Sequence, residues 1–150
     1  MTRDEDALRM LAEVEAANAD LAERAKAPVW YHPALGLLMG GLVAVQAAPI
    51  PAKLAYYGVY VAGLVLLMRA YKRHTGMWIN GYRAGRTRWV AVGLAGLAIL
   101  CAAIAVWLER ERHLEAAPLV FGAIVAVLVT IGGFVWEAAF RADLRDGRGL

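Results

Sequence analysis

Residues 89–108 read WVAVGLAGLAILCAAIAVWL, twenty positions without a charge, bracketed by Trp89 and Trp107. At about 1.5 Å of rise per helical residue this block covers about 30 Å, the thickness of a bilayer's hydrocarbon core. A membrane barrel strand would alternate apolar and polar positions over about ten residues. This block is apolar all round and rich in Ala, Leu and Gly, so it reads as an α-helix that satisfies its own backbone in lipid. Indole rings favour the headgroup layer, which makes Trp89 and Trp107 the interface anchors of this span.

Working outward, residues 118–136 (PLVFGAIVAVLVTIGGFVW) repeat the pattern and end on a further anchor, Trp136. Two shorter apolar blocks, Pro33 to Ile50 and Leu54 to Met68, reach spanning length with their aromatic flanks, Trp30 and Tyr31 among them. Pro49 and Pro51 close the first block, and Lys53 is the only charge before the second. The expected fold class is an all-α membrane protein: a four-transmembrane-helix bundle with spans at about 33–50, 54–70, 89–108 and 118–137. The composition agrees. A chain of 150 residues with 61% hydrophobic content and a mean hydropathy of +0.50 lacks the polar surface of a soluble domain.

The spans divide around residues 69–88, RAYKRHTGMWINGYRAGRTR, which hold six of the sixteen basic residues and no acid. With four spans, the N-terminal region, this loop and the tail share one side and carry thirteen basic residues, against Lys53, Arg110 and Arg112 on the other. The positive-inside bias then makes both termini and the loop cytoplasmic. Usage leaning on Ala, Gly and Arg suits a bacterial genome, so the expected location is the bacterial inner membrane.

Residues 1–28 form the expected N-terminal cytoplasmic amphipathic helix, residues 29–140 the transmembrane domain and residues 141–150 a cytoplasmic tail. Thr2 and Glu5 have capping-box spacing, acids crowd the first turn, Arg24 and Lys26 the last, and Pro28 stops the helix. Ala7, Leu11, Val14, Leu21 and Ala25 form a narrow apolar stripe that could face the chain's own body, the headgroups or a second helix. Its acids share a side with the basic loop, so the helix could also fold over that loop as an electrostatic latch.

Helices in lipid meet through small residues. Gly36 and Gly40 in the first span, Ala91, Ala95, Ala98 and Ala102 in the third, and Gly122, Ala126, Thr130 and Gly133 in the fourth are the expected packing faces. No ionisable side chain falls in the middle of any span, which weighs against proton relays and ion paths, whose groups must lie there. His32 and His74 read as lone interfacial residues, and Glu137 as one half of an ordinary i,i+4 pair with Arg141. Cys101 is the single cysteine, Glu109 and His113 are too few ligands for a metal, and no phosphate-cradling or triad motif occurs, so neither metal, cofactor nor catalytic set is expected.

The functional candidate is the basic loop. Lys72, Arg73, Arg83, Arg86 and Arg88 are expected to contact lipid or phosphate, each basic group near an anionic surface contributing about 1 kcal/mol. Trp78 and Tyr82 would seat the loop at headgroup depth. The function expected from the sequence is a non-enzymatic integral membrane protein: a structural, accessory or regulatory subunit contacting partners or anionic headgroups at the cytoplasmic face. It would act as a homo-oligomer or within a larger membrane complex, without nucleic acid. The alternative is an enzyme or carrier for lipid or isoprenoid phosphates, which would show a cleft lined by Arg83, Arg86, Arg88 and Glu137.

Overall fold

The computed structural model describes residues 3–76 and 86–145, with the side chains of Arg3, Asp4, Arg86 and Thr87 outside that description. The described residues are all-helical: α1 (Arg3–Arg24), α2 (Tyr31–Ala44), a 3-10 turn (Val45–Ala47), α3 (Ile50–Thr75), α4 (Arg86–Arg112) and α5 (Ala117–Arg145). Three of them, α3, α4 from Arg88 onward, and α5, are long and apolar enough to cross a membrane. Their outward residues are what lipid would demand: Leu54, Val61 and Leu66 on α3, Ile99 and Leu100 on α4, Leu119, Val127 and Ile131 on α5 are all exposed.

The first apolar block differs from its expected extent. Instead of a helix over 33–50, α2 has 14 residues, about 21 Å by its rise, and runs on only as the 3-10 turn. The cause is local. A residue before proline is driven from the α region, and Ala48, before Pro49, has φ −85° and ψ 159°. Pro49 then caps α3, and Pro51 occupies the first turn, where its missing N–H costs nothing.

The other boundaries have similar causes. α3 ends at Gly76, which takes a left-handed φ of 69° and donates its N–H to the Lys72 carbonyl at 2.9 Å. α4 extends through the charged connector to Arg112, and His113 makes the left-handed turn (φ 55°) that lets the Leu114 N–H reach back to the Leu108 carbonyl at 3.2 Å.

α2 and α5 lie antiparallel at the centre and approach closely. A Cβ on Gly40 would strike the Gly122 carbonyl and Ala126, and one on Gly36 would strike the Thr130 hydroxyl and the Ala126 carbonyl. Only hydrogen at these α-carbons lets the backbones meet, as small-residue packing in membranes requires. α4 covers one side of α5, where Cys101 and Ala105 join Val43, Val125 and Val129 in the core. α3 flanks α2, held by the Tyr56 hydroxyl, which donates to the Leu38 carbonyl at 2.8 Å.

Among the described residues, α1 packs through its C-terminal third and the turn that follows it. Asn18, Ala22 and Ala25 are buried, the last two against Phe140 and Leu144 of α5, whereas Leu8, Leu11 and Val14 remain exposed.

Candidate functional site

One end of the fold gathers its buried polar groups. His32 stands in the first turn of α2 and Glu137 eight residues before the end of α5, and antiparallel packing brings them level. His32 Nε2 lies 2.7 Å from Glu137 Oε2, with residue exposures of only 5% and 9%. The other carboxylate oxygen accepts the Ala27 N–H at 3.3 Å. Glu137 therefore ties α2, α5 and the linker after α1 together. Tyr71 of α3 adds a fourth element, donating its hydroxyl to the Ala25 carbonyl at 3.2 Å, with its ring 5.3 Å from that of Tyr31.

Beside this knot is a cleft of about 410 Å³, within the range of small-molecule sites. Tyr31, His32, Tyr71, Trp136 and Glu137 line its polar end, and Leu35, Met39, Leu94, Ala98 and Val129 its deeper apolar part. Two glycines of α5, Gly132 and Gly133, make room there: a Cβ on Gly133 would run into the His32 ring, and one on Gly132 into Leu94. The arrangement suits an amphiphile with its polar end at the knot. Among the described lining residues Glu137 is the only acid, and there is no lysine or arginine.

The histidine and carboxylate differ from their sequence reading. His32 has a partner, and Glu137 does not pair with Arg141. The Arg141 guanidinium instead reaches α1, donating to the Ala22 carbonyl (3.2 Å) and to the Glu23 carboxylate, with Arg145 3.3 Å from the same oxygen. Burial explains the exchange: Glu137 points inward among the helices, whereas Arg141, one turn on, lies under α1. The Arg141 guanidinium holds the Glu23 carboxyl below the usual carboxylate range by hydrogen bond and charge together. The expected latch over the basic loop concerns a segment partly outside the described residues; the described cations that Glu23 engages, Arg141 and Arg145, belong to α5.

Of the expected lipid-contacting residues, Lys72 and Arg73 are exposed in the last turn of α3, and Arg88 is exposed near the start of α4. Arg83 and the side chain of Arg86 lie outside the described residues, as do Trp78 and Tyr82. Trp30 and Trp89 are exposed, Tyr31 and Trp136 partly buried, and Trp107 lies beneath the Arg112 guanidinium, 5.6 Å from the ring centroid. Gly36, Gly40, Gly122, Ala126 and Thr130 meet at the α2–α5 crossing, whereas Ala91 and Ala95 line the cleft.

A signal for the missed pair was present in the sequence. His32 follows Trp30 and Tyr31, and Glu137 follows Trp136, so both belong to aromatic anchors at the same expected membrane depth. No family model, curated protein or solved structure matches this chain.

Proposed function

We propose that the protein is a non-enzymatic subunit of the bacterial inner membrane, with α2–α5 as a four-helix transmembrane bundle and both termini in the cytoplasm. α2 crosses together with its 3-10 turn, about 27 Å in all. The thirteen-to-three distribution of basic residues supports this orientation. Anionic headgroups meet the basic end, and protein partners meet α1.

The observation that carries the subunit role is the exposed apolar stripe of α1, against which no described residue packs. Leu8 and Leu11 are 66% and 59% exposed and Val14 54%, on a helix whose base is fixed to α5 by Arg141, Arg145 and the Phe140–Leu144 contact. A rigidly mounted apolar stripe in water fits a helix-in-groove or coiled contact. Native mass spectrometry in mild detergent tests it. The full chain should carry a second copy or a partner protein, and Leu8→Ser/Leu11→Ser/Val14→Ser should release it. A wild-type monomer carrying no protein would refute the reading.

A second reading, an enzyme or carrier for lipid or isoprenoid phosphates with Glu137 as its acid, rests on the cleft's volume and apolar depth alone, since none of the described lining residues is a cation that would hold the phosphate. Turnover or transfer of such a lipid by the purified protein, abolished in Glu137→Gln, would replace the subunit role with this one.

A further inference from the structure

A second groove lies on the opposite flank of α2, between it and α3, with a volume of about 800 Å³. Its origin is a close approach at one level and a divergence beyond it. At Gly63 the helices nearly touch, since a Cβ there would press on the Leu38 methyls at 2.9 Å. From that level to Arg73 the groove is floored by Ala34 and Ala70 and walled by Leu37, Leu38, Leu66 and Leu67. Ten helical residues rise about 15 Å, one half of a bilayer core. The trough therefore has the length of one leaflet's hydrocarbon.

Its upper end is cationic. Arg69 and Arg73, one helical turn apart on α3, both line the groove, and Trp30 faces them from the start of α2. No acid is among the described lining residues, and the ion pairs described elsewhere at this end engage Arg24, Arg141 and Arg145 instead. Two guanidinium forks on one face of α3, about 6 Å apart along its axis, can bracket the oxygens of a phosphodiester, and the arginine stems can lie along the apolar wall. Indole at the same height matches the glycerol–ester layer.

We propose that the α2–α3 groove is a specific site for an anionic phospholipid, its phosphate held between Arg69 and Arg73 and one acyl chain lying in the trough down to Gly63. The site rests on the membrane reading above and narrows its lipid contact from a general basic surface to a defined pair of arginines, one of which, Arg69, the sequence did not single out. Lys72 and Arg88 attract the same lipids only diffusely, because neither lines the groove.

The test uses the full chain reconstituted in nanodiscs of phosphatidylcholine with one-fifth phosphatidylglycerol, extracted into detergent for native mass spectrometry. Wild type should retain one phosphatidylglycerol, with a bound phosphatidylglycerol-to-phosphatidylcholine ratio at least tenfold above that of the bilayer. Arg69→Gln/Arg73→Gln should lose that enrichment, Arg69→Lys/Arg73→Lys should keep a reduced part of it, and Lys72→Gln/Arg88→Gln should retain it in full. Inorganic phosphate at 10 mM should not displace it, since the acyl chain supplies much of the binding. Equal loss in both glutamine pairs, undiminished retention in Arg69→Gln/Arg73→Gln, or displacement by phosphate alone would overturn the proposal. Alkaline carbonate extraction of the same chain reconstituted in vesicles of that composition separates the two levels: release of the protein would refute the membrane reading itself, whereas firm insertion without selective retention refutes this site alone.

Discussion

Replacing Glu137 with alanine strands two buried groups at once. The His32 imidazole loses its 2.7 Å partner at 6% side-chain exposure, and the Ala27 N–H loses its acceptor. Removing one member of a buried pair costs about 3–5 kcal/mol, and an orphaned buried amide about 1–3 more. Taking the low end of each, about 4 kcal/mol would be lost from the knot that fixes the α1–α2 linker. Because 1.4 kcal/mol is a factor of ten, the open population of that linker should rise about a thousandfold. The scissile Lys26–Ala27 bond carries the very N–H that Glu137 accepts, and Lys26 is exposed, so trypsin reads this opening directly. In the regime where opening is fast relative to cleavage, the rate at Lys26 follows the open population. Glu137→Gln keeps one acceptor oxygen and should fall between, about 10- to 100-fold faster than wild type, consistent with a loss of about 1–3 kcal/mol. Cleavage of Glu137→Ala at the wild-type rate, in protein that keeps its helical circular dichroism, would refute the knot.

Two further predictions concern packing and charge. Gly40→Leu should lower the detergent melting midpoint, because its Cβ meets the Gly122 carbonyl and the Ala126 backbone, a clash of about 1–3 kcal/mol that no rotamer relieves, while Gly58→Leu, with nothing within 4 Å, should leave the midpoint within a degree or two. Glu23 is held below its usual pKa by Arg141, so the stability it lends to α1 docking is fully present above the ordinary carboxylate value of about 4.3 and is lost as pH falls through the lowered folded value. Hydrogen exchange at amides 18–25, corrected for intrinsic rate, should therefore be flat from pH 7 to 5 and accelerate below about 4, and Arg141→Gln should remove that step.

The class of this protein was legible in residues 89–108 and 118–136 alone, because hydrocarbon imposes length and uniform apolarity on any single helix that crosses it. Boundaries set by one or two residues were legible too: Pro28 and Pro49 interrupt helices by their own covalent geometry, and Arg24 and Lys26 mark the end of α1. The length of α2 is local too: the restriction before Pro49 and the 3-10 turn hold it to 14 residues. The pair that needed more than local chemistry was misread. His32 and Glu137 lie 105 residues apart and look like unrelated interfacial singles.

Tertiary structure alone decided that pair. Whether a carboxylate near a helix end faces water, Arg141 or a buried imidazole depends on which way α5 is turned, and that rotation is fixed by the contact of Gly36 and Gly40 with Gly122, Ala126 and Thr130. The same holds for the two grooves. Ala91 and Ala95 line the first cleft, whose floor is set where α4 meets α5 through Leu94, Cys101 and Ala105. Arg69 and Arg73 face Trp30 because Gly63 sets where α3 crosses α2. Sequence determined that these helices belong in a membrane, since that depends on each helix against its solvent; which side chains meet depends on helix against helix, through contacts of a single methyl group's size.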